Sequence, residues 1–199
     1  MTLDLLIALA VFAAICSYTP GPNNTLLMAS GMNFGFRRSL PMALGVVLGF
    51  PLMIAAVGLG LGQVFVNFPQ FYTALKIIGA IYLVYLAWKI ATSPAAGTTS
   101  AEDAKPLSFL QMVLFQWINP KGWVMAVTAL STYTVAAGYN LGVAIVAGMF
   151  LLSGIGSSTV WTLFGASLHG FMSNPRWFRI VNVCLALALV ASLWPLFVH

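Results

Sequence analysis

The sequence predicts an all-α integral membrane protein: six transmembrane helices laid out as two inverted three-helix repeats, with helices 1 and 4 broken near their middles. Three observations predict it. Of 199 residues, 61% are hydrophobic and only 6% charged, a balance that cannot clothe a water-soluble domain in charge. The apolar residues gather into six stretches, about 3–34, 38–62, 70–91, 108–134, 141–168 and 177–198, and each reaches the roughly 20 residues that a spanning helix needs. Two of the stretches are interrupted by helix-breaking motifs, Thr19-Pro20-Gly21-Pro22-Asn23-Asn24 and Asn119-Pro120-Lys121-Gly122.

Helix 1 lacks the basic start of a secretory signal, carries Asp4 instead and stays apolar past its break to Phe34, so it reads as a retained helix. Helix 2 contains Gly45-x-x-x-Gly49 and Pro51. The glycines, with Gly31, Gly35, Gly58, Gly60, Gly62, Gly154 and Gly156, offer small faces for close helix approach, and Pro51 is expected to kink its helix. Helix 3 holds Lys76 within about two turns of its start, close enough to snorkel outward. Residues 92–107 form the one polar linker, with Glu102, Asp103 and Lys105; it is too short and biased to fold alone. It separates a first repeat, 1–91, from a second, 108–199. His169 ends helix 5 at an interface. Cys16 and Cys184 lie in apolar helices without the spacing of a metal site or disulfide framework.

The net charge of +5 is explained by placement. Arg37, Arg38, Lys89, Lys105, Arg176 and Arg179 flank connections on one face of the predicted topology, while the opposite connections, around 63–69 and 135–140, hold no Lys or Arg. The positive-inside rule then puts the basic face in the cytoplasm and both termini outside. Lipid headgroups account for these charges, and no nucleic-acid partner is implied.

The repeat is visible in the residues themselves. Leu44-Gly45-Val46 recurs as Leu141-Gly142-Val143, and Pro69, Leu83, Val84 and Trp88 recur in one register as Pro175, Leu189, Val190 and Trp194. Three helices per copy make the second copy enter from the opposite side, which is the plan of many secondary transporters, with the site at the repeat interface near the midplane.

Unwound backbone at membrane depth is tolerable only where it is buried in protein or lines a polar cavity, so paired breaks point to an internal binding site. The break at Thr19, Pro20, Gly21 and Pro22 is expected to expose carbonyls of Cys16 to Thr19, which attract an ammonium. Beyond it, N–H groups near Asn23, Asn24 and Thr25 attract a carboxylate. Lys121, next to Pro120, lies roughly 20 Å from either end of helix 4 at about 1.5 Å per residue. An unpaired lysine at that depth costs about 2.5–3.5 kcal/mol even on a lenient scale, so it marks a functional residue. Asp4 sits near the outer mouth and Glu102 and Asp103 in the linker, leaving no carboxylate at the midplane. The expected substrate is therefore a small neutral zwitterion, its carboxylate near Lys121, with Gln116, Asn119, Asn23 and Asn24 available for hydrogen bonds. No catalytic triad, metal cluster or phosphate loop is legible, and no cofactor is expected.

These residues resemble those of the lysine-exporter superfamily, in its LysE/RhtB branch of small amino-acid exporters. The resemblance runs from Thr19-Pro20-Gly21-Pro22-Asn23-Asn24, Gly31 and Gly35-Phe36-Arg37 through Leu86-Ala87-Trp88-Lys89 to Phe115 and Asn119-Pro120-Lys121. Trp88-Lys89-Ile90-Ala91-Thr92-Ser93-Pro94 and Thr128-Ala129-Leu130-Ser131-Thr132 are similar to the cysteine/O-acetylserine type. The resemblance implies export of small neutral amino acids (cysteine, O-acetylserine, serine or homoserine) across the bacterial inner membrane, driven by the proton gradient. The missing midplane carboxylate leaves an ordinary acidic proton relay without a carrier. Two other classes stand beside this one: a thiol-disulfide carrier using Cys16 and Cys184, and a non-transporting membrane scaffold. A homo-oligomer is compatible with any of the three.

Overall fold

The computed structural model describes residues 1–93, 105–134, 138–169 and 174–194. Glu102, Asp103, most of the 92–107 linker, the terminal His199 and the side chain of His169 lie outside the described residues. Every regular element among those described is helical: α1 (Leu3–Tyr18), α2 (Pro22–Ala56), a π-helical turn (Val57–Leu61), α3 (Gly62–Asn67), α4 (Pro69–Ala91), α5 (Phe109–Ile118), α6 (Pro120–Tyr133), α7 (Tyr139–His169) and α8 (Pro175–Ala191).

Proline writes most of the boundaries. It fixes its own φ, lacks an N–H and pushes the preceding residue out of the helical region, so it ends one helix and starts the next. Thr19 before Pro20 is extended (ψ 145°) and closes α1; Asn119 before Pro120 is extended (ψ 108°) and closes α5. Pro22, Pro69, Pro120 and Pro175 each stand at the start of the helix that follows. Polar caps fill in elsewhere: Thr2 accepts from Leu5 N ahead of α1, and Ser108 and Gln111 form a reciprocal capping box ahead of α5.

The expected separation of helices 1 and 2 at residues 35–37 is met at Gly35, where two helices join at a kink inside the α2 range. Helical geometry runs through α2 except at Gly35, whose φ of 76° is a value favouring glycine. One residue makes the change of direction, and the buried hydroxyls of Ser30 and Ser39, 2.7 Å apart, bridge it. Pro41 and Pro51 both keep helical φ and ψ. The backbone departs instead at the π-helical turn, where Gly60 has φ 125°.

Three helical spans are long and apolar enough to cross a membrane, Pro22–Leu61, Thr73–Ala91 and Tyr139–Leu168; Leu3–Tyr18 and Phe109–Ile118 are shorter apolar helices. Their outward faces are apolar as well. Leu3, Ile7, Val11 and Ile15 line one exposed stripe of α1, and Leu40, Leu44, Leu48 and Leu52 another on α2, surfaces that suit lipid and not water.

α2 and α7 form the central pair. They approach closely because a Cβ at Gly31 would strike the Thr162 carbonyl and one at Gly165 the Met28 carbonyl. Gly45 and Gly49 admit α5 against α2 in the same way, facing Phe109 and Val113. α1 lies along α7, and α4 pairs with α8. Two apolar cores result, one around Leu27, Met32, Leu83 and Phe115, the other around Leu9, Phe50, Trp123 and Phe150.

Candidate binding site between two broken helices

The breaks at Thr19–Gly21 and Asn119 come together. The side chains of Asn23 and Gln116 join them reciprocally: Asn23 Nδ2 donates to Gln116 Oε1 at 2.8 Å, and Gln116 Nε2 donates back to Asn23 Oδ1 at 3.3 Å. Gln116 is fully buried and also donates to Met112 O. It holds Asn23 in place and does not line the cavity.

The carbonyls at the end of α1 are engaged by the protein itself, which refines the expectation that they stand open. Asn24 Nδ2 donates to Ser17 O (2.7 Å) and Thr19 O (2.9 Å). From α7, Ser153, Ser157 and Trp161, four residues apart on one face, donate to Ala13 O, Ser17 O and Tyr18 O. Thr19 Oγ1 donates back to Cys16 O. Lys121 Nζ completes the set, donating to Thr19 O and Thr19 Oγ1, both at 2.9 Å, and to Pro20 O at 3.3 Å.

The two N-termini on the other side of the breaks are left open. Gly21 and Asn119 are the N-caps of α2 and α6, and neither helix receives a side-chain cap there. The first N–H groups of each helix thus lack their usual acceptor, and helix N-termini in that condition attract anions.

A cavity lies at this junction. Cys16, Ser17, Gly21, Asn23, Asn24, Asn119, Lys121, Ser157 and Ser158 give it a polar part, and Val46, Phe50, Met125 and Phe150, beside Gly122 and Gly154, an apolar part. Phe50 and Phe150 meet edge to face, centroids 5.2 Å apart. About 50 Å³ is open to water-sized spheres, room for a few waters at roughly 10–15 Å³ each. Among the described residues no acidic side chain lines it. Asn119 is 2% exposed, and its Oδ1 is buried with no donor among the described residues, so an unmet acceptor lies beside the cavity.

Of the residues singled out from the sequence, Gly21, Asn23, Asn24, Asn119 and Lys121 reach the cavity. Thr19 and Pro20 hold Lys121, while Pro22 and Pro120 act by starting α2 and α6. The sequence reading placed the carbonyls of Cys16 and Ser17 at the break but missed Ser157, Ser158 and the Phe50–Phe150 wall. The adjacent Ser157-Ser158, two hydroxyls inside a long apolar helix, was the one legible signal among them. Cys184 is exposed on α8, well removed in sequence and element from Cys16, and both thiols are free. A second hollow, about 530 Å³, opens between α2, the end of α4 and the start of α5, beside Lys89 and Lys105.

Residues 14–192 match the model of the LysE type translocator family. This chain belongs to the LysE family. It is 37% identical to the cysteine/O-acetylserine efflux protein of Escherichia coli strain K12 over 196 residues, covering 96% of each chain. The proteins of the same description from Shigella flexneri and Salmonella typhimurium strain LT2 are 37% and 36% identical over the same length. No solved structure matches. As a LysE-family member the chain is a multi-pass membrane translocator and not an enzyme.

Proposed function

We propose that this LysE-family chain is a secondary transporter that exports small neutral amino acids from the bacterial cytoplasm, with cysteine and O-acetylserine as its leading substrates and the proton gradient as its drive. The observation that carries this reading is the Lys121 ammonium, held in a cavity between two broken helices with no carboxylate among the described residues of its walls. A carboxylate entering there meets the ammonium and two uncapped helix N-termini. Asn119, Ser157 and Ser158 add polar groups to the wall around the rest of the incoming molecule. A second positive charge on the substrate finds no counter-ion, which disfavours lysine-like and arginine-like molecules. The relatives' description as cysteine/O-acetylserine efflux proteins supports the same substrate class.

The proposed architecture is six spans in two inverted repeats, 1–91 and 108–199, joined by a cytoplasmic linker at 92–107. Support comes from corresponding contacts: α1 lies on α7 as α5 lies on α2, and Gly21-Pro22 opens α2 as Asn119-Pro120 opens α6. Arg37, Arg38, Lys89, Lys105, Arg176 and Arg179 are all exposed, which fits a basic cytoplasmic face. The hollow beside Lys89 and Lys105 is then the cytoplasmic approach to the site.

Proteoliposomes of purified protein loaded with labelled cysteine, O-acetylserine, serine or homoserine test this reading. Efflux of at least one, cut by about 10- to 100-fold in Lys121→Met, is expected, the size of one charge-assisted contact. Silence across the whole panel would remove the proposal.

A further inference from the structure

A lysine ammonium carries three N–H donors, and Lys121 has three acceptors around it: Thr19 O, Thr19 Oγ1 and Pro20 O. All three are neutral. Two are carbonyls at the C-terminal end of α1, the end that carries partial negative charge. The ammonium is therefore fully hydrogen-bonded yet lacks an anion, since no acidic side chain among the described residues lines the cavity.

Nothing in this cage is particular to a lysine. The α-ammonium of a free amino acid has the same charge and the same three donors. The side chain that fills the cage lies across the Gly21 backbone, where a Cβ would come within 2.7 Å of Lys121 Cδ and 3.1 Å of Nζ. Thr19 and Pro20 are exposed, so the cage is reachable. With Lys121 in place the cavity offers only about 50 Å³, space for a few waters and not for a whole amino acid.

We propose that in the empty site Lys121 occupies the position of the substrate's ammonium, and that binding is an exchange. The incoming ammonium takes Thr19 O, Thr19 Oγ1 and Pro20 O, while Lys121 turns to the incoming carboxylate beside the N-termini of α2 and α6. This rests on the reading of the cavity as an amino-acid site. After the exchange both ammonium groups are hydrogen-bonded and one has gained an anion. A ligand with an ammonium alone would evict Lys121 and give it nothing to bind. A ligand with a carboxylate alone would draw Lys121 away and leave the cage empty. The site thus requires both groups on one molecule, through competition for a single set of acceptors.

The test uses the full chain in lipid nanodiscs, under reductant, with calorimetric titration of cysteine, cysteamine (its amine without the carboxylate) and 3-mercaptopropionate (its acid without the amine). Wild type is expected to bind cysteine and to bind either half-molecule at least about tenfold more weakly. In Lys121→Met the cage stands vacant, so cysteamine should bind at least about tenfold more tightly than to wild type while cysteine weakens. Thr19→Val removes one cage acceptor from Lys121 in the empty site and from the incoming ammonium in the full one; it should strengthen 3-mercaptopropionate, which leaves the cage empty, and change cysteine far less, and it decides the matter should Lys121→Met fail to fold. Cysteamine binding no tighter to Lys121→Met than to wild type, or Thr19→Val leaving the preference for cysteine over 3-mercaptopropionate unchanged, overturns the exchange while cysteine binding to wild type keeps the amino-acid site. Loss of cysteine binding in wild type itself removes both.

Discussion

Asn119 is placed where stability and function pull apart. Its side-chain oxygen is buried without a donor among the described residues, and an unmet acceptor in that position costs about 1–3 kcal/mol. Asn119→Leu removes the acceptor at similar volume, so thermal unfolding should move up or hold steady while cysteine affinity falls; a variant that keeps full affinity would reduce Asn119 to a helix start. Gly154 allows the opposite experiment, since a Cβ there would meet only Val47 Cα, at 3.9 Å. Gly154→Ala adds a methyl to the apolar part of the cavity without disturbing packing. The KM for O-acetylserine should rise by about tenfold and that for cysteine by less, with unfolding temperature unchanged, because pockets discriminate by roughly 1–3 kcal/mol per methylene. Equal effects on both substrates would place the acetyl group elsewhere. These residues differ in how far their letters announced them. Lys121 and Asn119 were legible because polar groups in an apolar run demand an explanation. Phe50, Phe150 and Gly154 were not, because nothing in an apolar residue's identity says whether it meets lipid, a neighbouring helix or a cavity.

At the scale of the element, α7 holds both kinds of glycine on one helix. Gly165 backs onto the Met28 carbonyl of α2, whereas nothing lies within 4 Å of a Cβ added at Gly148. Gly165→Ala should therefore destabilise by about 1–3 kcal/mol through forced separation of α2 and α7, and Gly148→Ala should stabilise by up to about 1 kcal/mol through helix propensity. Thermal unfolding in one detergent compares the two directly; equal shifts would show that α7 does not sit tightly on α2. The helix breaks were readable because proline acts through covalent geometry, which any surroundings must respect. The join at Gly35 was readable in its place, marked by the glycine and by Arg37 and Arg38, but not in its form, a single residue at φ 76° in place of a loop. Pro51 keeps helical φ and ψ, and the backbone departs at the Val57–Leu61 turn, where Gly58 and Gly60 are two of the five residues and Gly62 follows.

For the whole molecule, the charge asymmetry predicts a topology that labelling can check. In a background of Cys16→Ser and Cys184→Ser, a cysteine at Asn67 should react with a membrane-impermeant maleimide on intact cells, and one at Ser100 only after the membrane is opened. The reverse pattern would invert the orientation and make the cysteine efflux reading untenable as drawn. Membrane character was legible from composition, because a bilayer demands length and apolarity before anything else. The packing order was harder to read, because lipid and protein interior are both apolar and the hydrophobic periodicity that orients a soluble helix fades. The reciprocal amide pair of Asn23 and Gln116 has a consequence at this scale. Each side chain both gives and receives across the two breaks, so sliding one past the other by a residue would forfeit two bonds at once. The two unwound points are thereby yoked, and any rocking that opens the molecule to one side must carry both in step.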